Sequence, residues 1–167
     1  RIQACVLDVW DREPDIDVTL LERASIGTPH IAGYSFDGKV NGTRQIYEAA
    51  CRFLGKEPTW DPSPLLPPPE CPEVRLNGAA SDWLSEIQKA VFAVYDVRKD
   101  DAAMRGILAE PPERRGAYFD KLRKQYPRRR EFILTRAIVE PSNPELERAL
   151  TRLGFICTRQ DGLRPHK

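Results

Sequence analysis

Between residues 58 and 72 the chain places seven prolines: Pro58, Pro62, Pro64, Pro67, Pro68, Pro69 and Pro72. Proline locks φ and has no N–H to donate, so neither a helix interior nor a central strand can run through this stretch. It reads as stiff, extended chain, and it forces the residues on its two sides to build their cores separately. An interdomain strap is the expectation. A proline-rich peptide ligand is the alternative, disfavoured because patterned sequence flanks the stretch on both sides.

Ahead of the strap, Ile2 to Val9 is apolar and partly β-branched, and it breaks at Trp10 into an acidic loop containing Pro14. That pattern predicts a buried strand of a parallel sheet, with Asp8 near the carboxyl end where α/β proteins place ligands. Asp15 to Ala24 reads as a short helical turn carrying Leu20, Leu21 and Ala24, and Ile26 to Ala32 as extended chain or loop. From residue 37 to 54 the period becomes helical, with Val40, Thr43, Tyr47, Ala50 and Leu54 on one stripe and Gly55 as the stop. Gly38 and Gly42 weaken the first turns.

Beyond the strap, Glu73 to Leu76 predicts a short strand. Ser81 is placed to cap a helix with Leu84, Ile87, Val91, Val94 and Tyr95 on its face. Helices follow over 101–108 and 113–126. Residues 131–139 predict a strand with Phe132, Leu134 and Ile138 on one face. Pro144 and Glu145 open a last helix carrying Leu146, Leu150 and Leu153 and closed by Gly154, and Phe155 to Thr158 closes the fold as a strand.

A hydrophobic fraction of 41% with 31% charged residues is a globular composition. No apolar run is long enough to cross a bilayer and no signal-peptide pattern is present, so membrane association is not expected and a cytoplasmic location is. A net charge of +1 supplies no general attraction to nucleic acid. Cys5, Cys51, Cys71 and Cys157 are too scattered for a zinc site or a redox pair, and they read as reduced thiols. The first residue is Arg1, not Met, directly ahead of a predicted strand, and the expectation is a piece that has lost its front.

Chemistry points to one place. His30, one of two histidines, follows Pro29, which holds Thr28 extended, and precedes Gly33, which lets a ligand or backbone come close. The loop just upstream is rich in carboxylates. Glu13 on one loop and His30 on another can meet, and a carboxylate on one imidazole nitrogen leaves the other to exchange a proton with substrate. Glu13 is the first choice of partner; Asp11, Asp15 and Asp17 read as a solvated acidic rim. The alternative is a structural histidine, the commoner role of a lone imidazole beside apolar residues.

The run LDVWDREP at 7–14 followed by GTPHIAGY at 27–34 resembles the carboxyl-terminal signature of the NAD-dependent D-2-hydroxyacid dehydrogenases. Three further stretches, at 33–55, VYDVRKDD at 94–101 and FDKLRKQYPRRREF at 119–132, resemble one branch of that family with an extra carboxyl-terminal domain and a phosphorylated hydroxy acid as substrate. The resemblance implies NAD as cofactor, His30 as the acid/base, Glu13 as its carboxylate partner, Asp8 and Gly33 against the cofactor, and Tyr34 on the substrate. It implies an α/β fold: the end of a Rossmann-type nucleotide-binding domain over 1–36, a helix returning to the substrate domain over 37–57, the strap over 58–72, and a small α+β dimerisation domain over 73–167 that pairs two copies. The family's glycine-rich dinucleotide turn and its substrate-clamping arginine belong upstream of Arg1.

Two other motifs compete. Gly33 to Lys39 spells the G-x-x-x-x-G-K frame of a phosphate loop, but Val40 stands where Mg²⁺ coordination needs Ser or Thr. The basic run Arg114, Arg115, Lys121, Arg123, Lys124, Arg128, Arg129 and Arg130 reads as a solvated helix face, because Tyr118, Phe119 and Tyr126 have core spacing rather than that of an RNA-stacking surface. A sharper reading sends one of Arg128, Arg129 and Arg130 to a neighbouring subunit's substrate phosphate. Two rivals to the main reading stay open: a relative acting on a non-phosphorylated hydroxy acid, and a dimerisation module without catalysis.

Overall fold

The computed structural model describes residues 3–157. The chain divides into two compact units, one taking in the sequence up to Trp60 together with Asp96–Arg129, the other Asp61–Tyr95 together with the sequence from Arg130 onward. The passage from the first unit to the second falls within the proline-rich stretch. Residues 96–129 lie inside the 73–167 segment read from sequence as one domain. They cluster with the first unit because Met104, Ile107 and Phe119 are buried in one core with Trp10, Ile16, Leu21 and Ala24.

In the first unit, β1 (Val6–Leu7) and β2 (Ile26–Gly27) pair in parallel, Val6 opposite Ile26 and Leu7 opposite Gly27. Between them runs α1 (Val18–Arg23), capped by Asp17, whose carboxylate accepts from Thr19 N at 2.9 Å and from its hydroxyl at 2.7 Å. The Thr19 hydroxyl bond is the main force holding the Asp17 carboxyl below its ordinary range. Asp17 is thus a helix cap as well as part of an exposed acidic rim. The buried strand expected over 2–9 is shorter and barer than its pattern: only two residues pair, and Val6 and Val9 are exposed, because no third strand covers that edge among the described residues. Ile2 lies outside them.

The long helix α2 (Phe36–Phe53) starts at Ser35, whose hydroxyl accepts from Gly38 N at 3.0 Å. Its predicted stripe is only partly covered: Val40 and Tyr47 are half-buried, whereas Thr43, Ala50 and Leu54 are exposed. The start of the strap returns to the helix here. Tyr47 Oη accepts from Thr59 N and Trp60 N, and the Tyr47 and Trp60 rings meet edge to face at 5.7 Å. The first unit is completed by α4 (Val97–Arg105), a 3₁₀ turn over Gly106–Ala109, and α5 (Pro112–Lys124). The 101–108 helix predicted from sequence therefore begins four residues earlier, at the Asp96 cap, and its last turn tightens.

The second unit is a three-stranded parallel sheet in the order β3 (Glu73–Asn77), β4 (Arg136–Glu140), β5 (Ile156–Cys157). It is packed by α3 (Trp83–Val94) and α6 (Pro144–Leu153) over Val74, Leu76, Ala90, Ala137, Leu146, Leu150 and Phe155. Asp82, not Ser81, caps α3, through Leu84 N. The strand predicted over 131–139 is a 3₁₀ turn at Phe132–Leu134 followed by β4, and the turn shifts the alternation by one residue. Ala137 and Val139 therefore face the core, while Phe132 stacks on Phe155 at 4.8 Å from outside the strand. α6 forms as predicted. Asn143 caps it, and Gly154 ends it at φ 102°, a left-handed conformation that suits glycine. Thr158 lies outside the described residues. Among those described, no helix is long and apolar enough to cross a membrane.

Candidate active site

Parallel pairing of β1 with β2 brings the loop after each strand to the same end of the pair, and Asp8 ties the two loops together. Its Oδ1 accepts from the Thr28 hydroxyl at 2.6 Å and from Ile31 N at 2.8 Å, and its Oδ2 accepts from Ala32 N at 3.0 Å. Two of those bonds land just past His30, which sits at φ 55°. A left-handed backbone at a non-glycine residue costs energy and persists only where its surroundings enforce it. Here the Asp8 bonds and a bond from His30 N to Thr28 O at 3.1 Å enforce it.

Glu13 and His30, predicted to meet, do so: His30 Nδ1 lies 2.8 Å from Glu13 Oε2. Glu13 is turned inward, its side chain 17% exposed against 44% for His30, and its Oε1 accepts from Trp10 N at 2.9 Å. Both carboxylate oxygens are therefore committed to holding one geometry. The carboxylate on Nδ1 places the ring proton there and leaves Nε2 of the half-exposed ring to accept or donate. Asp11 is fully exposed beside Arg12 and takes no part.

Sequence reasoning missed the support beneath this pair. Trp10 is buried, and its indole N–H donates to Thr28 O at 2.8 Å, pinning the His30 loop from below. Gly27 passes so close that a Cβ there would stand 2.5 Å from Leu21 Cδ1 and 3.0 Å from the Trp10 ring. From α4, Asp101 Oδ1 accepts from Gly27 N at 2.7 Å, while its Oδ2 accepts from Arg105 Nε at 2.9 Å. Arg105 in turn donates to Leu21 O, which also accepts from Ala24 N, and to Ala24 O, both at the end of α1. Burial works against the charge on Asp101, yet the Arg105 and Gly27 bonds outweigh it and hold the carboxyl below its ordinary range. The i, i+4 spacing of Asp101 and Arg105 was a legible signal of a pair; its long-range targets were not.

Gly33 has no protein atom within 4 Å of where a Cβ would stand, so its peptide is open to approach. Tyr34 follows a turn closed by its N–H to Ile31 O at 2.9 Å, and its ring meets Tyr126 edge to face at 5.9 Å. Burial, then the neighbouring Asp100, pushes the Tyr126 hydroxyl up from its ordinary value; that hydroxyl donates to Asp100 at 3.0 Å. The phosphate-loop frame does not make such a loop: the chain is helical from Phe36, three residues past Gly33. Within the basic run, Lys124 pairs with Asp120 at 2.9 Å, Arg115 donates to Glu110 O at 3.1 Å and Arg130 is buried. Phe119 is fully buried, as its core spacing predicts. Among the described residues no group of His, Cys, Asp and Glu is arranged to hold a metal ion, and the four cysteines are free thiols.

Fold and site together define a mixed α/β protein with parallel sheets and an imidazole–carboxylate pair at one end of a parallel strand pair. The family model described as "Domain of unknown function (DUF3410)" matches residues 65–154, more than half of the chain, and the chain belongs to that family. It is also similar to proteins named erythronate-4-phosphate dehydrogenase: 44% identical over 151 residues to that of Pseudomonas putida strain F1, covering 90% of this chain and 40% of the relative. The Cellvibrio japonicus protein of that name is 43% identical over 155 residues, covering 91% and 41% of the two chains. That of Proteus mirabilis is 41% identical over 155 residues, covering 93% and 39%. The chain thus spans about 40% of the length of the relatives it matches.

Proposed function

We propose that the chain is the carboxyl-terminal part of an erythronate-4-phosphate dehydrogenase. In the cytoplasm the whole protein oxidises 4-phospho-D-erythronate to 3-hydroxy-2-oxo-4-phosphooxybutanoate with NAD, a step of pyridoxal 5'-phosphate biosynthesis. The observation that carries this reading is the Glu13–His30 pair, made at 2.8 Å on a strained loop, in a chain more than 40% identical to enzymes of that name. His30 Nε2 takes the proton of the 2-hydroxyl as the bond to hydrogen at that carbon breaks. Glu13 keeps the ring in the tautomer and orientation that this transfer needs.

The residues present fit the nicotinamide end of a cofactor site. Asp8 accepts three hydrogen bonds, and a carboxylate offers about four acceptor positions, so one is left for a carboxamide. The open peptide at Gly33 admits a flat ring without a clash. NAD, when bound, supplies the hydride acceptor. Tyr34 offers a phenol to a polar substrate.

In this reading residues 1–36 end the nucleotide-binding domain, and exposed Val6 and Val9 are covered by further strands of its sheet. Residues 37–57 return to the substrate domain, which suits the exposure of Ile46, Phe53 and Leu54. The second unit pairs two copies, a use supported by its exposed Leu84, Ile133 and Ile156. The test is NADH formation by the full-length protein with 4-phosphoerythronate, plain erythronate and other 2-hydroxy acids. Turnover selective for the phosphorylated acid is expected; indifference to the phosphate, or no turnover of any hydroxy acid, would overturn the reading.

A further inference from the structure

We propose that Lys39 and Arg123, gathered on the ring of Tyr34, form an anion subsite that takes the phosphate of the substrate; this rests on the functional reading above. Tyr34 lies four residues past His30, one tight turn along the chain. Lys39 Nζ, from the first turn of α2, is 4.1 Å from the Tyr34 ring centroid, and the Arg123 guanidinium carbon, from α5, is 5.6 Å from it. Neither cation is paired with a carboxylate among the described residues, in contrast to the neighbouring Lys124. Arg123 Nε is buried and has no hydrogen-bond acceptor.

Such an arrangement is unfavourable as it stands. Two like charges close to one ring repel, the aromatic face offsets each only weakly, and a buried N–H without an acceptor forfeits its hydration. An anion offsets the repulsion and gives the guanidinium an acceptor. The Arg123 guanidinium, Lys39 Nζ and the Tyr34 hydroxyl can each donate to a phosphate oxygen, and charge-assisted bonds of this type are the strong ones. The substrate's carboxylate is the other anion that could sit here. The phosphate is preferred because Arg123 and Lys39 come from two separate helices, which suits a tetrahedral group with oxygens in several directions better than a flat one.

Two measurements test the subsite. First, inorganic phosphate is titrated into the 167-residue chain at constant ionic strength, with chloride as reference, while the Arg123 Nε–H and Tyr34 ring signals are followed by NMR. Saturable, phosphate-specific shifts are expected, and their loss in Lys39→Gln and Arg123→Met; shifts that match chloride or do not saturate would overturn the proposal. Lys39 is exposed, so Lys39→Gln keeps the test valid if Arg123→Met does not fold. Second, in the full-length enzyme each substitution should lower the ratio of kcat/KM for 4-phosphoerythronate over plain erythronate by about tenfold to a hundredfold. An unchanged ratio would overturn the phosphate assignment, and so would an equal loss on both substrates. Phosphate binding in a wild-type protein that oxidises no hydroxy acid would uphold the anion site and remove the dehydrogenase reading instead.

Discussion

Asp101 carries more of the candidate site than its distance from His30 in sequence suggests, and replacing it separates charge from hydrogen bonding. Asp101→Ala leaves the Gly27 N–H and the Arg105 Nε–H without acceptors. Each bond to a charged group is worth about 1.5–3 kcal/mol, and the side chains are 18% and 31% exposed, so water repairs part of the loss. About 2–4 kcal/mol of destabilisation is expected. Asp101→Asn keeps an acceptor for Gly27 N and loses only the charge, so about 1–2 kcal/mol is expected. The pH dependence has a definite sign. The Asp101 carboxyl is depressed in the folded state, so its contribution is fully present above the ordinary value of 3.8 and disappears as pH falls through the folded value. The gap between wild type and Asp101→Asn should therefore close below about pH 4. Urea unfolding followed by Trp10 fluorescence reads this unit directly, because Trp10 is buried while Trp60 and Trp83 are exposed. A loss below about 0.5 kcal/mol for Asp101→Ala, or a gap with Asp101→Asn that widens on acidification, would refute the reasoning.

Other positions give independent checks. Leu150 is fully buried between α6 and the sheet, so Leu150→Ala should destabilise the second unit by about 2–5 kcal/mol in denaturant titrations followed by circular dichroism. Asn143 accepts from Glu145 N and Leu146 N and donates to Gly78 O; Asn143→Ala should cost about 1–2 kcal/mol in the same assay, and Asn143→Asp less. Gly27→Ala forces a Cβ against Leu21 and Trp10, and should shift the Trp10 fluorescence of the folded protein as well as its midpoint.

The sequence was most informative where one local rule governs. α6 was readable because Asn143-Pro144, the Leu146 and Leu150 spacing and Gly154 all agree, and the proline stretch was readable because proline has few options. The Glu13–His30 contact was legible from complementary chemistry on two nearby loops, whereas the parallel pairing of β1 with β2 that brings those loops to one end was not. What stayed hidden depended on partners far away in sequence. The one-residue shift of β4 comes from a 3₁₀ turn that alternation does not reveal. The grouping of α4 and α5 with the first core rests on Met104, Ile107 and Phe119 finding Trp10 and Leu21, which no local period encodes. Asp8 illustrates both sides: its place at a strand end was evident, whereas its use as the clamp of the His30 loop emerged only from three hydrogen bonds that span 20 to 24 residues.

The central claim is that His30, held by Glu13, moves the hydroxyl proton. It is tested most directly by kcat of the full-length protein on 4-phosphoerythronate with His30→Ala and Glu13→Gln measured beside wild type. The account predicts a fall of about 10²–10⁴ for His30→Ala, with a smaller loss for Glu13→Gln. Turnover of His30→Ala close to that of wild type would contradict it.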